Sequence, residues 1–122
     1  MDLLEVFEDS ADLEKYSPGT VIFEEGNPGE LMYVMLEGDV RLSLHDIEIA
    51  TAGPGEIIGE MALLSSDVRS ATAKALSNCV LAPIDVHSFK LLIQHTPDFA
   101  LHVMNVLAER LRLANEAIAA NS

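Results

Sequence analysis

The chain has 122 residues, enough for one domain with a sizeable core and too few for two. Apolar residues make up 49% of it, which argues for a globular fold, and 7 Lys and Arg against 20 Asp and Glu leave a net charge of −13. Such a charge repels nucleic-acid backbone and anionic lipid alike, so any bound anion must be met by local, well-aimed donors.

Asp2 to Asp9 carry Leu3, Leu4, Val6 and Phe7 among acidic residues, a pattern that predicts a short amphipathic helix with Glu5, Glu8 and Asp9 on its solvated face. From about Asp12 to Val86 the pattern changes to short β-type runs. All seven glycines lie between Gly19 and Gly59, in turn clusters at Pro18-Gly19, Gly26-Asn27-Pro28-Gly29, Gly38-Asp39 and Gly53-Pro54-Gly55. Between them sit strand candidates Val21-Ile22-Phe23, Leu31 to Leu36, Val40 to Leu44 and Ile47 to Ala50. Two more follow at Ala71 to Leu76 and Cys79 to Ile84. Closely spaced strands with frequent turns predict an antiparallel β-roll or jelly roll.

From Val86 the period becomes helical. His87 to Gln94 predicts one helix, Thr96-Pro97 breaks it, and a longer helix starts near Asp98 with Pro97 at its entry. On that helix Leu101, Met104, Ala108, Leu111, Asn115 and Ile118 follow alternating steps of three and four, a heptad seam that suits a homodimer. A second stripe, Val103, Val106, Leu107, Arg110, Leu113 and Ala114, suits packing on the chain's own domain. The organisation expected is one domain over residues 1–122. It comprises an N-terminal helix at 2–9, a β-roll at 12–86 and C-terminal helices at 87–120.

One segment concentrates donors and acceptors. A buried-looking strand, Ile57-Ile58, meets Gly59, and Glu60 to Leu64 then favour about one helical turn. Nine residues after Glu60 stands Arg69, the only Lys or Arg between Arg41 and Lys74. Its guanidinium can pair bidentately with two phosphate oxygens, while Glu60, acceptor-only when ionised, complements a sugar hydroxyl. Donors for an anion beside an acceptor for a hydroxyl describe a ribose phosphate. Taken singly, Arg69 also reads as a surface arginine and Glu60 as a first-turn acid stabilising its helix; their spacing, with Gly59 before and Ser70-Ala71-Thr72 after, favours a ligand site.

These residues carry a resemblance. Gly59-Glu60-Met61-Ala62-Leu63 followed by Arg69-Ser70-Ala71-Thr72 resembles the phosphate-binding cassette (59–72) of the cyclic-nucleotide-binding domain family. Pro18 to Phe23, Glu25-Gly26, Tyr33 to Gly38 and Pro54-Gly55-Glu56 match alongside it. The resemblance implies a receptor or regulatory module for cyclic AMP or cyclic GMP that signals through movement of its C-terminal helix to an effector protein. It implies a ligand set of Gly59, Glu60, Met61, Ala62, Arg69, Ser70, Ala71 and Thr72. Glu60 would take the ribose 2′-hydroxyl and Arg69 the cyclic phosphate, with Ser70 and Ala71 adding donors. On the last helix, Arg110 either snorkels or approaches the nucleotide, and Asn115 either sets coiled-coil register or reads the purine edge. Val68 stands where many members have proline.

No enzymatic chemistry is expected, and neither a cofactor nor a metal. His45, His87, His95 and His102 lack ligand spacing, and Ser65 and Ser66 lie outside a nucleophile elbow. The single cysteine, Cys79, reads as a buried inert thiol, and with no leader and no apolar run of membrane length a cytoplasmic setting is expected. Two other readings stay open. One is an interaction scaffold that keeps the fold without binding nucleotide, and the other is a ligand domain cut from a longer transcription regulator or channel.

Overall fold

A computed structural model describes residue 7, residues 12–64 and residues 68–120. The helix expected over 2–9 falls outside the described residues except for Phe7, which is helical and buried. The described residues form two compact units, one within residues 2–89 and one within residues 90–122.

The first unit holds eight strands among the described residues. They are β1 (Glu14–Tyr16), β2 (Val21–Phe23), β3 (Met32–Glu37), β4 (Val40–Leu44), β5 (Ile47–Ala52), β6 (Ile57–Ile58), β7 (Thr72–Ala75) and β8 (Cys79–Ile84). A short helix, α1 (Glu60–Leu64), lies between β6 and β7. All pairings are antiparallel, in two four-stranded sheets of order β1-β8-β3-β6 and β2-β7-β4-β5. The inward residues of both sheets form one core. Tyr33, Met35, Ile58, Cys79 and Leu81 come from the first sheet, and Val40, Leu42, Ala52, Ala73 and Ala75 from the second. This is the β-roll expected from the turn spacing.

The turns explain how the strands reverse. Gly38, between β3 and β4, has φ +85°, and a Cβ there would stand 2.3 Å from the Asn78 carbonyl oxygen. Only glycine fits that crossing. The β4–β5 hairpin instead turns on His45 and Asp46, with φ of 52° and 65°, a left-handed pair without glycine. The Glu25 carboxylate holds it, accepting from the His45 backbone N–H at 2.8 Å, and the Asp46 carbonyl accepts from Arg41 Nη2 at 3.0 Å.

A β-bulge lies in β2. Val21 pairs with Lys74 and Phe23 with Ala73, so two steps on β2 match one on β7. Strict alternation would set Phe23 on the same exposed face as Val21; the bulge re-aims it toward the core, against which it packs.

Helix α2 (Val86–His95) begins at the end of the first unit. Asp85 caps it, its carboxylate accepting from the Ser88 backbone N–H at 2.7 Å. That bond, with a smaller contribution from the Ser88 hydroxyl, holds the Asp85 carboxyl below the usual carboxylate range. In the second unit, α3 (Pro97–Ala120) follows after a break at Thr96, whose carbonyl accepts from the Phe99 N–H at 2.9 Å. Phe99 and Val103 are its buried residues. Of the stripe expected to pack inward, Val103 is buried and Val106, Leu107 and Arg110 are half-buried, but Leu113 and Ala114 are exposed.

Candidate functional site

Arg69 is one of three buried polar or charged residues among those described, with Ser43 and Glu60, and is 6% exposed. Its backbone is fixed on both sides by the loop between β2 and β3: its N–H donates to the Asn27 carbonyl at 2.9 Å, and its carbonyl accepts from the Gly26 N–H at 2.8 Å. The neighbouring Val68 bridges to Pro28. The side chain then enters the fold. Nη1 donates to the Leu31 carbonyl at 2.7 Å and reaches the Gly59 carbonyl at 3.4 Å.

The guanidinium lies over aromatic rings. Its central carbon stands 4.2 Å from the Phe23 ring centroid and 5.9 Å from that of Tyr33. The two rings are stacked at 6.3 Å with 16° between their planes. Two glycines leave the volume the side chain fills. A Cβ at Gly29 would stand 2.1 Å from Arg69 Nε, and one at Gly59 would stand 2.7 Å from Nη1. Gly59 also has φ +77°, so sterics and backbone both require glycine there.

This arrangement leaves one edge of the guanidinium unmatched. Nη1 has two carbonyl acceptors, whereas Nε is buried with no hydrogen-bond partner and Nη2 bonds to no described residue. Among the described residues no carboxylate pairs with Arg69. A buried donor left without an acceptor is costly, more so on a charged group. The Nε–Nη2 edge is the side from which a guanidinium grips two oxygens of one oxyanion, so the donor set fits a phosphate.

Glu60, 6% exposed, opens α1 directly after Gly59, so the carboxylate and the guanidinium anchor at adjacent points of the chain. Met61 is exposed, Ala62 lies within α1, Ser70 is exposed and Ala71 is buried. Thr72 is half-buried, and its hydroxyl accepts from the Glu25 N–H at 3.0 Å, tying β7 to the loop that frames Arg69. Arg110 and Asn115 lie on α3 in the second unit, Arg110 half-buried and Asn115 exposed; the group assembled around Arg69 draws on the first unit only.

Behind the aromatic pair, Tyr16 donates its hydroxyl hydrogen to the Glu14 carboxylate. Burial first, then that carboxylate, pushes the Tyr16 phenol well above its ordinary range. Tyr33 is likewise raised by burial and then by Glu14, with the Arg69 charge opposing the shift. Among the described residues no three His, Cys, Asp or Glu side chains are grouped to hold a metal, and no helix is long and apolar enough to cross a membrane.

Sequence reasoning missed Phe23, Gly29 and the Leu31 carbonyl. Gly29 was legible as a turn residue within Gly26-Asn27-Pro28-Gly29, but its clearance over Arg69 was not. Phe23 was legible as a strand residue, but its bulge was not.

A family model described as cyclic nucleotide-binding domain matches residues 13–96. The cyclic AMP receptor protein of Thermus thermophilus is 35% identical over 105 residues, covering 82% of this chain and 49% of the relative. The cAMP-dependent protein kinase regulatory subunit of Eremothecium gossypii is 35% identical over 77 residues, covering 63% of this chain and 17% of the relative. The crystal structure of the Thermus thermophilus catabolite activator protein superposes with a TM-score of 0.75 at 33% identity, over 88% of this chain and 53% of that one. The chain thus spans about half the length of these bacterial relatives.

Proposed function

This chain belongs to the cyclic nucleotide-binding domain family, and on that premise we propose that it is a regulatory sensor module that binds cyclic AMP. The observation that carries the reading is the Nε–Nη2 edge of Arg69, where the buried Nε has no hydrogen-bond partner and Nη2 bonds to no described residue, set among glycines and aromatic rings. That edge takes two oxygens of the cyclic phosphate. Glu60 takes the ribose 2′-hydroxyl, Gly59 lines the phosphate from the end of β6 and Met61 and Ala62 from α1, and Ser70, Ala71 and Thr72 complete the cassette. Arg110 and Asn115 remain candidates on the sequence alone. Cyclic AMP is preferred over cyclic GMP because curated relatives that match over most of this chain are named for it.

The chain acts in this reading as a single ligand domain over residues 1–122, without catalysis and without a cofactor. A ligand that binds one state of the domain better shifts the population toward it, and α3 is the element that carries the change to an effector protein. A cytoplasmic location and a homodimer formed through α3 belong to the same reading. The coverage of about half of each bacterial relative keeps open a longer parent protein with its own output.

Calorimetric titration with cyclic AMP and cyclic GMP tests the reading on wild type and Arg69→Ala. Wild type is expected to bind cyclic AMP more tightly than cyclic GMP. Arg69→Ala is expected to lose about 2–5 kcal/mol of binding, the range for removing one partner of a buried charge pair. Absence of binding to either nucleotide by wild type would leave the scaffold reading standing, and wild-type affinity in Arg69→Ala would move the anion site elsewhere.

A further inference from the structure

We propose that Phe23 is a positioning residue for the anion site: its ring face fixes the Arg69 guanidinium so that the Nε–Nη2 edge is already aimed before an oxyanion arrives. The inference rests on the reading of Arg69 as the phosphate ligand and assigns the group that presents it.

Three observations converge on Phe23. Its ring centroid is 4.2 Å from the guanidinium carbon, well inside the roughly 6 Å at which a cation over a ring face is attracted by the ring's quadrupole. The ring is there only because β2 is bulged. The shift in register between Val21 and Phe23 turns the second of two same-parity residues from the exposed face to the inner one. Third, a Cβ on Gly59 would lie 3.4 Å from the Phe23 ring edge and 2.7 Å from Arg69 Nη1. Ring, guanidinium and glycine therefore occupy one close-packed stack.

The stack does what hydrogen bonds alone do not. The two carbonyls on Nη1 anchor one corner of the guanidinium but leave the plane free to pivot about that corner. A flat ring against the face removes that pivot, and an arginine held in plane loses less freedom when it pairs with a ligand. A buried cation that pairs with no carboxylate among the described residues also needs some compensation, and the ring face supplies it without occupying the Nε–Nη2 edge. A carboxylate in the same place would pair with that edge and compete with the anion. Tyr33, with its centroid at 5.9 Å from the same carbon, flanks the guanidinium beside Phe23 and is the lesser contributor.

The test separates packing from electrostatics and the stack from the ligand. In the ligand-free protein, the side-chain Nε–H resonance of Arg69 is expected to be shifted upfield by the ring and to exchange slowly with water. Both properties are expected to disappear in Phe23→Leu. Titration with cyclic AMP is expected to show Phe23→Tyr within about two-fold of wild type and Phe23→Leu roughly three- to thirty-fold weaker, the span of a cation–π contact from half-exposed to desolvated. Because Phe23→Leu also disturbs packing, mono-, di- and trifluorophenylalanine placed at position 23 keep the shape and withdraw charge from the ring face. Affinity is expected to fall stepwise along that series. A flat series in a protein that binds cyclic AMP, or an unshifted Nε–H resonance, overturns the positioning role and leaves the proposed function intact. A wild-type protein that shows the shifted resonance and binds no cyclic nucleotide overturns the proposed function, and the positioning role falls with it.

Discussion

Arg69 and Gly29 show how a residue's role is set by its neighbour's atoms. The atoms nearest a Cβ at Gly29 all belong to the Arg69 side chain, with Nε at 2.1 Å, Cζ at 2.5 Å and Cδ at 2.9 Å. Gly29→Ala therefore has one way to relieve the clash, which is to push the guanidinium out of its stack. The expected result is a cyclic AMP affinity at least roughly ten-fold weaker, with a fold destabilised by about 1–3 kcal/mol. Gly19→Ala is the contrast: φ there is +88° with nothing within 4 Å of the added carbon. It is expected to cost about 1–2 kcal/mol of backbone strain and leave affinity unchanged. Denaturant unfolding beside calorimetry reads both quantities on each variant. Glu60 makes a second prediction at this scale. If its carboxylate accepts from the ribose 2′-hydroxyl, 2′-deoxy cyclic AMP binds wild type more weakly than the parent nucleotide, and most of that difference vanishes in Glu60→Gln. An undiminished difference in the variant would assign the hydroxyl to another acceptor.

At the scale of elements, α2 offers a pH test. Asp85 caps it through the Ser88 N–H, and that bond holds the carboxyl below its usual range. A carboxyl whose folded value is depressed stabilises the fold fully above its ordinary unfolded value. The contribution is lost as the pH falls through the lower folded value. Asp85→Ala should therefore melt below wild type at neutral pH, and the two melting curves should converge in acid. A gap in melting temperature that persists in strong acid would mean that the side chain acts through something other than its ionised cap. The elements also show where sequence patterns are reliable. The Cys79–Ile84 strand has the bounds expected of it, and α2 and α3 begin within one residue of expectation. β5 runs two residues past its expected end because Thr51 and Ala52 pair with Arg41 and Val40, a cross-strand partnership no local pattern encodes.

For the whole molecule, α3 poses the question of assembly. Leu101 and Met104 are each 57% exposed, Leu111 is 63% and Ile118 is 68%, and the four share the heptad seam with Ala108 and Asn115. An exposed seam of this kind is stabilised by a second helix, and a polar residue within it fixes register at a cost in stability. The chain is expected to sediment as a dimer, with Asn115→Leu giving a tighter or higher-order assembly and nearly unchanged affinity for cyclic AMP. If Asn115 reads the base instead, the same variant keeps its oligomer size and loses roughly 1–3 kcal/mol of binding. A wild-type chain that stays monomeric at high concentration removes the dimer.

The sequence by itself determined what local rules govern. Glycine clusters and short β-branched runs set the reversals of a β-roll, and the shift to helical period after Val86 set its C-terminal helices. The spacing of Gly59, Glu60 and Arg69 marked the proposed cassette, because its members lie within one short stretch. Only the tertiary structure decided what surrounds Arg69. Phe23, Gly29, Leu31 and Gly59 approach it from β2, from the loop before β3 and from the end of β6, separations of up to 46 positions along the chain (69 − 23). The bulge that turns Phe23 inward is a property of how β2 registers on β7, not of the triplet Val-Ile-Phe. The unmatched Nε follows from the same cause, since a donor is orphaned only when packing removes water and supplies no acceptor.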